Sequence, residues 1–304
     1  MSDDAPVLVL GEVLVDAICE HPVASFDEVD GFVPHVGGAK ANVAVVLARE
    51  GGRAALAGVV GDDPWGRWLR RRLAAEGVDL TWLLARPEVV TPIAFVAVDA
   101  DAEPTYAFHG DGLTPGFGAL APLVEAAVDG SRALYLGTSM QVAPDHRAVV
   151  RAARDRALRR GRPVVVDPNL RFDLWPSPDQ ALAVAREAVP GAFLVKANRA
   201  ELRAISGRDD PHEGARALLD QGAANVVVTL GAEGALLVAG DGTVTTAAGV
   251  TARAVNAIGA GDTVAGLLLA RLARDGWTSA TLAAALPDAV AAAARSTERW
   301  GAVS

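Results

Sequence analysis

Cysteine is almost absent from this sequence. Cys19 is the only one in 304 residues, so no intramolecular disulfide and no cysteine metal cluster can form. A reducing compartment follows, and a cytoplasmic protein is expected. Positive charge is also scarce: 28 Lys and Arg stand against 37 Asp and Glu, for a formal net charge of −9. Counterion release needs a basic face, so nucleic acid and anionic membrane are not expected partners. The Arg-rich pieces 67-RWLRRRL-73 and 151-RAARDRALRRGR-162 read as solvated helix faces. No apolar run is long enough for a membrane span, since the Ala-rich stretch 283–295 is broken by Pro287 and Asp288. The acidic start of the chain lacks the basic n-region and cleavage site of a secretory signal. Two nucleotide signatures are missing as well: there is no G-x-x-x-x-G-K-[ST] loop and no G-x-G-x-x-G after a first strand. Nor do the histidines at 21, 35, 109, 146 and 212 show zinc-type spacing.

What remains is ample material for one large core. Hydrophobic residues make up 51% and charged residues 21%, a globular composition at a length that suits a single α/β domain. Apolar runs at 7–10, 55–60, 134–137, 164–167, 193–196 and 226–230 read as buried strands. Helical periodicity fills 41–50, 64–76, 146–160, 179–189 and 212–221 between most of them. Strand and helix in alternation predict a mostly parallel sheet with helices on both faces. Two stretches, about 13–38 and 91–110, alternate apolar and polar residues and carry turn signals. They are expected to form a small antiparallel sheet inserted into the one domain spanning 1–304.

In such sheets ligands bind beyond the carboxyl ends of the strands, which directs attention to Asp16, 167-DPNLR-171, 196-KANRAE-201 and 229-TLGAEG-234. The stretch 256-NAIGAGD-262 adds small residues before a helix. Successive N–H groups there can make an anion hole, and Asp262 at its edge can take a proton from a substrate hydroxyl. An aspartate after a glycine turn is also a common N-cap, so two readings of Asp262 stand. In 37-GGAKAN-42 the paired glycines permit close backbone approach and Asn42 offers donors and acceptors to a sugar, although a Gly-rich turn is the simpler reading. Asn198 and Glu201 stand three apart, a spacing that suits a hydrated Mg²⁺ near phosphates and equally makes a capping box.

The order of these pieces, GE-x-x-x-D, GGAKAN with glycines at 51 and 61, DPNLR, KANRAE, TLGAEG and GAGD, resembles the ribokinase-like (PfkB-type) sugar kinases over the whole chain. The segment 167-DPNLRFDLWPS-177 draws the likeness toward fructokinases and 2-keto-3-deoxygluconate kinases. The resemblance implies a three-layer α/β/α fold with a small β-sheet lid, and transfer of the ATP γ-phosphate to a sugar hydroxyl. Fructose is the first expectation and a 2-keto-3-deoxy sugar acid the second. A nucleoside kinase and a catalytically silent sugar-binding protein are the other readings.

Carried over, Asp262 becomes the general base with Gly259, Ala260 and Gly261 as the anion hole. Asp16, Gly37, Gly38, Asn42, Tyr106, His109 and Arg171 are assigned to the substrate. Lys196, Asn198, Thr229, Gly231 and Gly234 are assigned to the nucleotide, and Glu201 to Mg²⁺ through water. A homodimer through the lid is implied too. The departures concern substrate and cation. Asn256 stands where the family commonly has an aspartate that helps bind a monovalent cation, which leaves K⁺ dependence open. Lys40 replaces the proline usual in fructokinases and is expected to be exposed, the alternative being a contact with an anionic substrate group. His109 occupies roughly the place of a lid arginine.

Overall fold

A computed structural model of the protein describes residues 5–303; the acidic residues Asp3 and Asp4 at the start of the chain lie outside them. The strands in chain order are β1 (Val7–Leu10), β2 (Leu14–Ile18), β3 (Val33–Gly37), β4 (Ala54–Gly61), β5 (Leu83–Arg86), β6 (Ile93–Val98), β7 (Pro104–His109), β8 (Ala133–Gly137), β9 (Val164–Asp167), β10 (Leu194–Asn198), β11 (Asn225–Thr229), β12 (Gly234–Ala239) and β13 (Val244–Ala248). The helices are α1 (Ala39–Arg49), α2 (Pro64–Ala75), α3 (Val124–Asp129), α4 (Pro144–Arg159), α5 (Pro178–Ala188), α6 (Arg199–Ser206), α7 (Pro211–Asp220), α8 (Ala260–Asp275) and α9 (Ser279–Ser296).

The main sheet has the order β13-β12-β11-β10-β9-β8-β1-β4-β5. It is parallel from β5 to β11, and the β11–β12 and β12–β13 pairs are antiparallel. Every strand segment and every helix segment expected from the periodicity overlaps an observed element. β1 shows why: Val7 and Val9 face the layer of α1, α2, α8 and α9, while Leu8 and Leu10 face that of α3 to α7. A strand buried on both faces has no polar side to alternate with, hence the continuous apolar run. The antiparallel extension β12–β13 was not anticipated, and α9 runs unbroken through Pro287. Among the described residues no helix is long and apolar enough to cross a membrane.

Strand order reverses about β1: the strands that follow it spread first toward β4 and β5, then to its other side from β8 onward. The crevice between β1 and β8 is therefore a topological switch point, where open α/β sheets place their ligands.

The second sheet has the order β3-β2-β6-β7. Its central pair, β2 with β6, is parallel, while the outer pairs are antiparallel, so the expected all-antiparallel sheet is corrected in its middle. The two excursions leave the main sheet in the same sense, which makes their first strands run side by side. One face of this sheet, carrying Leu14, Ile18, Ala94, Val96 and Val98, packs on Ile258 and Ala302. The turn between β6 and β7 is tied to the segment before α8, where the Ala257 N–H donates to the Ala102 carbonyl at 3.0 Å.

Candidate active site

The carboxyl ends of the parallel strands and the inner face of the small sheet enclose a cavity of about 550 Å³. From the main sheet come Glu12 after β1, Asp167 at the end of β9, Lys196 and Asn198 in β10, and Thr229 in β11. Asp16 in β2 and Tyr106 and Phe108 in β7 form the facing wall. Asn42 projects from α1, and Gly259, Gly261 and Asp262 open α8.

Asp262 is not an N-cap. Gly259 caps α8 and Asp262 lies three residues on, with no capping hydrogen bond from a side chain. Its Oδ2 instead accepts from Asn42 Nδ2 at 2.9 Å. Burial pushes its pKa up to about 6, against the Asn42 hydrogen bond and the charge of Lys196, which pull it down. A carboxylate with its pKa near the working pH suits a general base. The opening N–H groups of α8 and the positive end of its dipole lie at the same place, so this carboxylate and donors suited to an anion share one helix start. Asn42 Oδ1 is buried and has no hydrogen-bond partner among the described residues, which leaves an acceptor for a substrate hydroxyl.

Asp16 faces this group from the small sheet. Burial first and the nearby Asp262 second raise its pKa to about 8, and Arg171 opposes them. Two carboxyl groups this close resist ionising together. Gly37 makes room for Asp16, because a Cβ at that position would overlap the carboxylate. The Tyr106 and Phe108 rings stack with centroids 5.9 Å apart, and burial followed by the charge of Asp16 raises the Tyr106 pKa.

At the other end, Asp167 Oδ2 accepts from Lys196 Nζ and from the Tyr135 hydroxyl, both at 3.0 Å. Burial opposes the Lys196 charge, but Asp167, Glu201 and Asp262 together raise its pKa. Glu201 completes the capping box with Asn198 and also accepts the Leu170 N–H at 2.8 Å. Burial and Asp167 raise its pKa. Both Glu201 oxygens thus hold backbone, which fits a role toward a metal ion through water. Asp167 Oδ1 is buried without a partner among the described residues and fits the same ion better.

The assigned residues do not all converge. Gly38, Arg171 and Thr229 line the cavity with those named above, whereas Gly37, Ala260, Gly231 and Gly234 do not. Gly234 has a packing reason: a Cβ there would overlap the Ala247 carbonyl of the neighbouring strand β13. His109 is placed away from the substrate wall. It pairs with Ile93 and meets the Phe95 ring at 5.1 Å, whereas Asp16 pairs with Ala94, so the two lie on opposite faces of the sheet. Asn256 does not fit a monovalent cation. Its Nδ2 donates to the Arg299 carbonyl at 2.6 Å and its Oδ1 accepts from the Ile258 N–H at 2.8 Å, so a donor stands where a cation requires an acceptor. Lys40 corrects the sequence reading outright: it is fully buried. Its Nζ lies 3.3 Å from Glu12 Oε1, a pairing that no sequence signal announced. Glu12, Asp167, Asn169 and Phe108 line the cavity without having been assigned a role; DPNLR and GE were the signals available for three of them.

The pfkB carbohydrate kinase family pattern matches residues 4–304. Fructokinase-2 of Solanum habrochaites is 30% identical over 90% of this chain and 84% of its own. Aminoimidazole riboside kinase of Salmonella typhimurium is 30% identical over 98% of this chain and 91% of its own. Fructokinase from Vibrio cholerae O395, solved with fructose, ADP and calcium, superposes with a TM-score of 0.86 at 30% identity, covering 100% of this chain and 96% of that one. With its parallel sheet, its small second sheet and a buried aspartate at the start of α8, the protein belongs to the pfkB family of carbohydrate kinases.

Proposed function

We propose that the protein transfers the γ-phosphate of ATP to a hydroxyl of a neutral sugar, with fructose the first substrate to test. The observation that carries this reading is Asp262, buried in the cavity, oriented by Asn42 and set at the positive end of α8. In this mechanism Asp262 takes the proton of the attacking hydroxyl as its oxygen bonds to the γ-phosphorus and the bond to the β–γ bridging oxygen breaks. The α8 N–H groups and Lys196 face the charge that develops on the phosphoryl group. Proton removal of this kind supplies roughly 10²–10⁴ in rate; positioning supplies much of the rest.

Asp167, and Glu201 and Asn198 through water, would hold a Mg²⁺ ion accompanying the nucleotide, which would supply charge to neutralise the phosphates. Among the described residues no group of three or more His, Cys, Asp or Glu is arranged to hold a metal, so the ion needs the phosphates as ligands. The cavity wall carries Glu12, Glu103, Asp167, Glu201 and Asp262 against Arg171 and Lys196, which favours a neutral sugar over a sugar acid. A second reading, a ribosyl substrate bearing a heteroaromatic ring, is supported by the stacked Tyr106 and Phe108 on the same wall.

The test is ADP release from Mg·ATP against fructose, ribose, glucose, 2-keto-3-deoxygluconate, aminoimidazole riboside and adenosine. Sugar-dependent release is the expected result; none from folded protein that still binds ATP would instead favour a silent binding protein. The reading also places two chains together through their small sheets in the cytoplasm. Phe32 and Val33 are exposed beside and on the edge strand β3, and Phe32 meets Phe95 at 4.8 Å. Sedimentation at several concentrations tests the pairing, and a persistent monomer counts against it.

A further inference from the structure

The Lys40–Glu12 pair occupies the switch point between β1 and β8, and its geometry is that of an unfinished site. Lys40 leaves the first turn of α1 and runs between Gly11, which follows β1, and Gly137, which ends β8; a Cβ on either glycine would overlap its side chain. Its Nζ lies 3.3 Å from Glu12 Oε1 and 3.5 Å from Ser139 Oγ, and Ser139 Oγ lies 3.4 Å from the same Oε1. All three contacts exceed the roughly 2.7–2.9 Å of a strong charged hydrogen bond. Glu12 lines the cavity, yet its Oε2 is buried and has no hydrogen-bond partner among the described residues.

A buried ion pair kept only for stability would be expected to satisfy its remaining lone pairs within the protein. A glycine at the end of β8 and one just after β1, a lysine threaded between them and a cavity-lining glutamate with an unpartnered buried oxygen describe a binding group held ready. We infer that Glu12 is a substrate-contacting residue whose Oε2 accepts a hydrogen bond from a hydroxyl of the sugar, with Lys40 and Ser139 as positioning residues that hold Oε1. Glu12 lines the cavity whereas Lys40 and Ser139 do not, so the ammonium stands on the far side of the carboxylate from the cavity. It therefore compensates Glu12 and does not greet an anion, and a substrate carboxylate at this spot would meet an acceptor with no proton between them. The subsite takes a hydroxyl and turns away a sugar acid. This rests on the sugar-kinase reading above.

The experiment compares wild type with Glu12→Gln, Lys40→Met and the double variant. Each is assayed with the sugar of the panel that wild type phosphorylates fastest, and KM for that sugar, KM for ATP and thermal midpoint are all recorded. Glu12→Gln is expected to raise the sugar KM by roughly tenfold and leave the ATP KM within about twofold. Lys40→Met is expected to raise the sugar KM as well, and the double variant to be no worse than Glu12→Gln alone, since the lysine acts through the carboxylate. If Glu12→Gln does not fold, Ser139→Ala replaces it: a sugar KM raised about threefold supports the inference and an unchanged one overturns it. A lowered midpoint with an unchanged sugar KM makes the pair a packing device and overturns the inference alone. A wild type that releases ADP with no sugar takes down the kinase reading and this inference with it.

Discussion

The two walls of the cavity hold the same functional group in different ways. On the main-sheet side Asp262 is gripped by Asn42, and burial leaves its pKa at about 6. On the small-sheet side Asp16 has only the charge of Arg171 to set against burial and Asp262, and its pKa rises to about 8. The first wall fixes a carboxylate so that it can act on a proton. The second buries one at a cost in stability, among aromatic rings, where a ligand hydroxyl can relieve it. In the proposed reading, chemistry and recognition are thus divided between the sheets.

That division breaks most visibly at Asp262. Asp262→Asn should lower kcat by roughly 10²–10⁴ while sugar and ATP still bind, measured by turnover beside calorimetric titration. Near-normal turnover would remove Asp262 from the base role. In wild type, kcat/KM should fall as pH drops through about 6, and an unchanged kcat/KM at pH 5 would contradict the assignment.

A change on the opposite wall should act on binding. Tyr106→Ala or Phe108→Ala is expected to raise the sugar KM by about tenfold and to change kcat much less. A loss confined to kcat would show that the wall aligns the reaction and does not hold the substrate.

Asp16 sharpens the comparison through stability. Its folded pKa is raised from 3.8 to about 8, so the folded state holds the proton more tightly than the unfolded one. Stability contributed by that proton is present at low pH and is lost as pH rises through this window. Asp16→Asn should therefore melt higher than wild type at pH 8.5, on the order of 4 °C, with the gap closing toward pH 4 and sugar affinity reduced throughout. Equal midpoints at pH 8.5 would mean that the carboxylate is not strained.

The smallest effect is expected from the monovalent cation. Replacing K⁺ by Na⁺ should change the wild-type rate by less than about twofold, since the Asn256 amide already bridges to the Arg299 carbonyl. A strong K⁺ requirement would place a cation elsewhere.

Much of this was legible in the sequence because it depends on local pattern. The central parallel strands are buried on both faces and announce themselves as apolar runs, and the order of GGAKAN, DPNLR and GAGD already singles out Asp262 as the candidate base. What escaped depends on parity and on distant neighbours. His109 differs from Phe108 by one position in β7, and that single step turns it to the other face. Lys40 is a residue type that favours the surface, and only the meeting of Gly11 with Gly137 shows that it is buried. β12 and β13 follow a Gly-rich turn that reads as a loop until a neighbouring strand accepts them.

The hydrogen bond from the Ala257 N–H to the Ala102 carbonyl ties the tip of the small sheet to the segment that feeds α8. Because both partners are main chain, this link is independent of side-chain identity at either position, and only a proline at position 257 would delete the donor. A connection written in the backbone can persist while the surrounding sequence drifts. It is open to hydrogen exchange at Ala257, where a bound sugar would be felt as slower exchange.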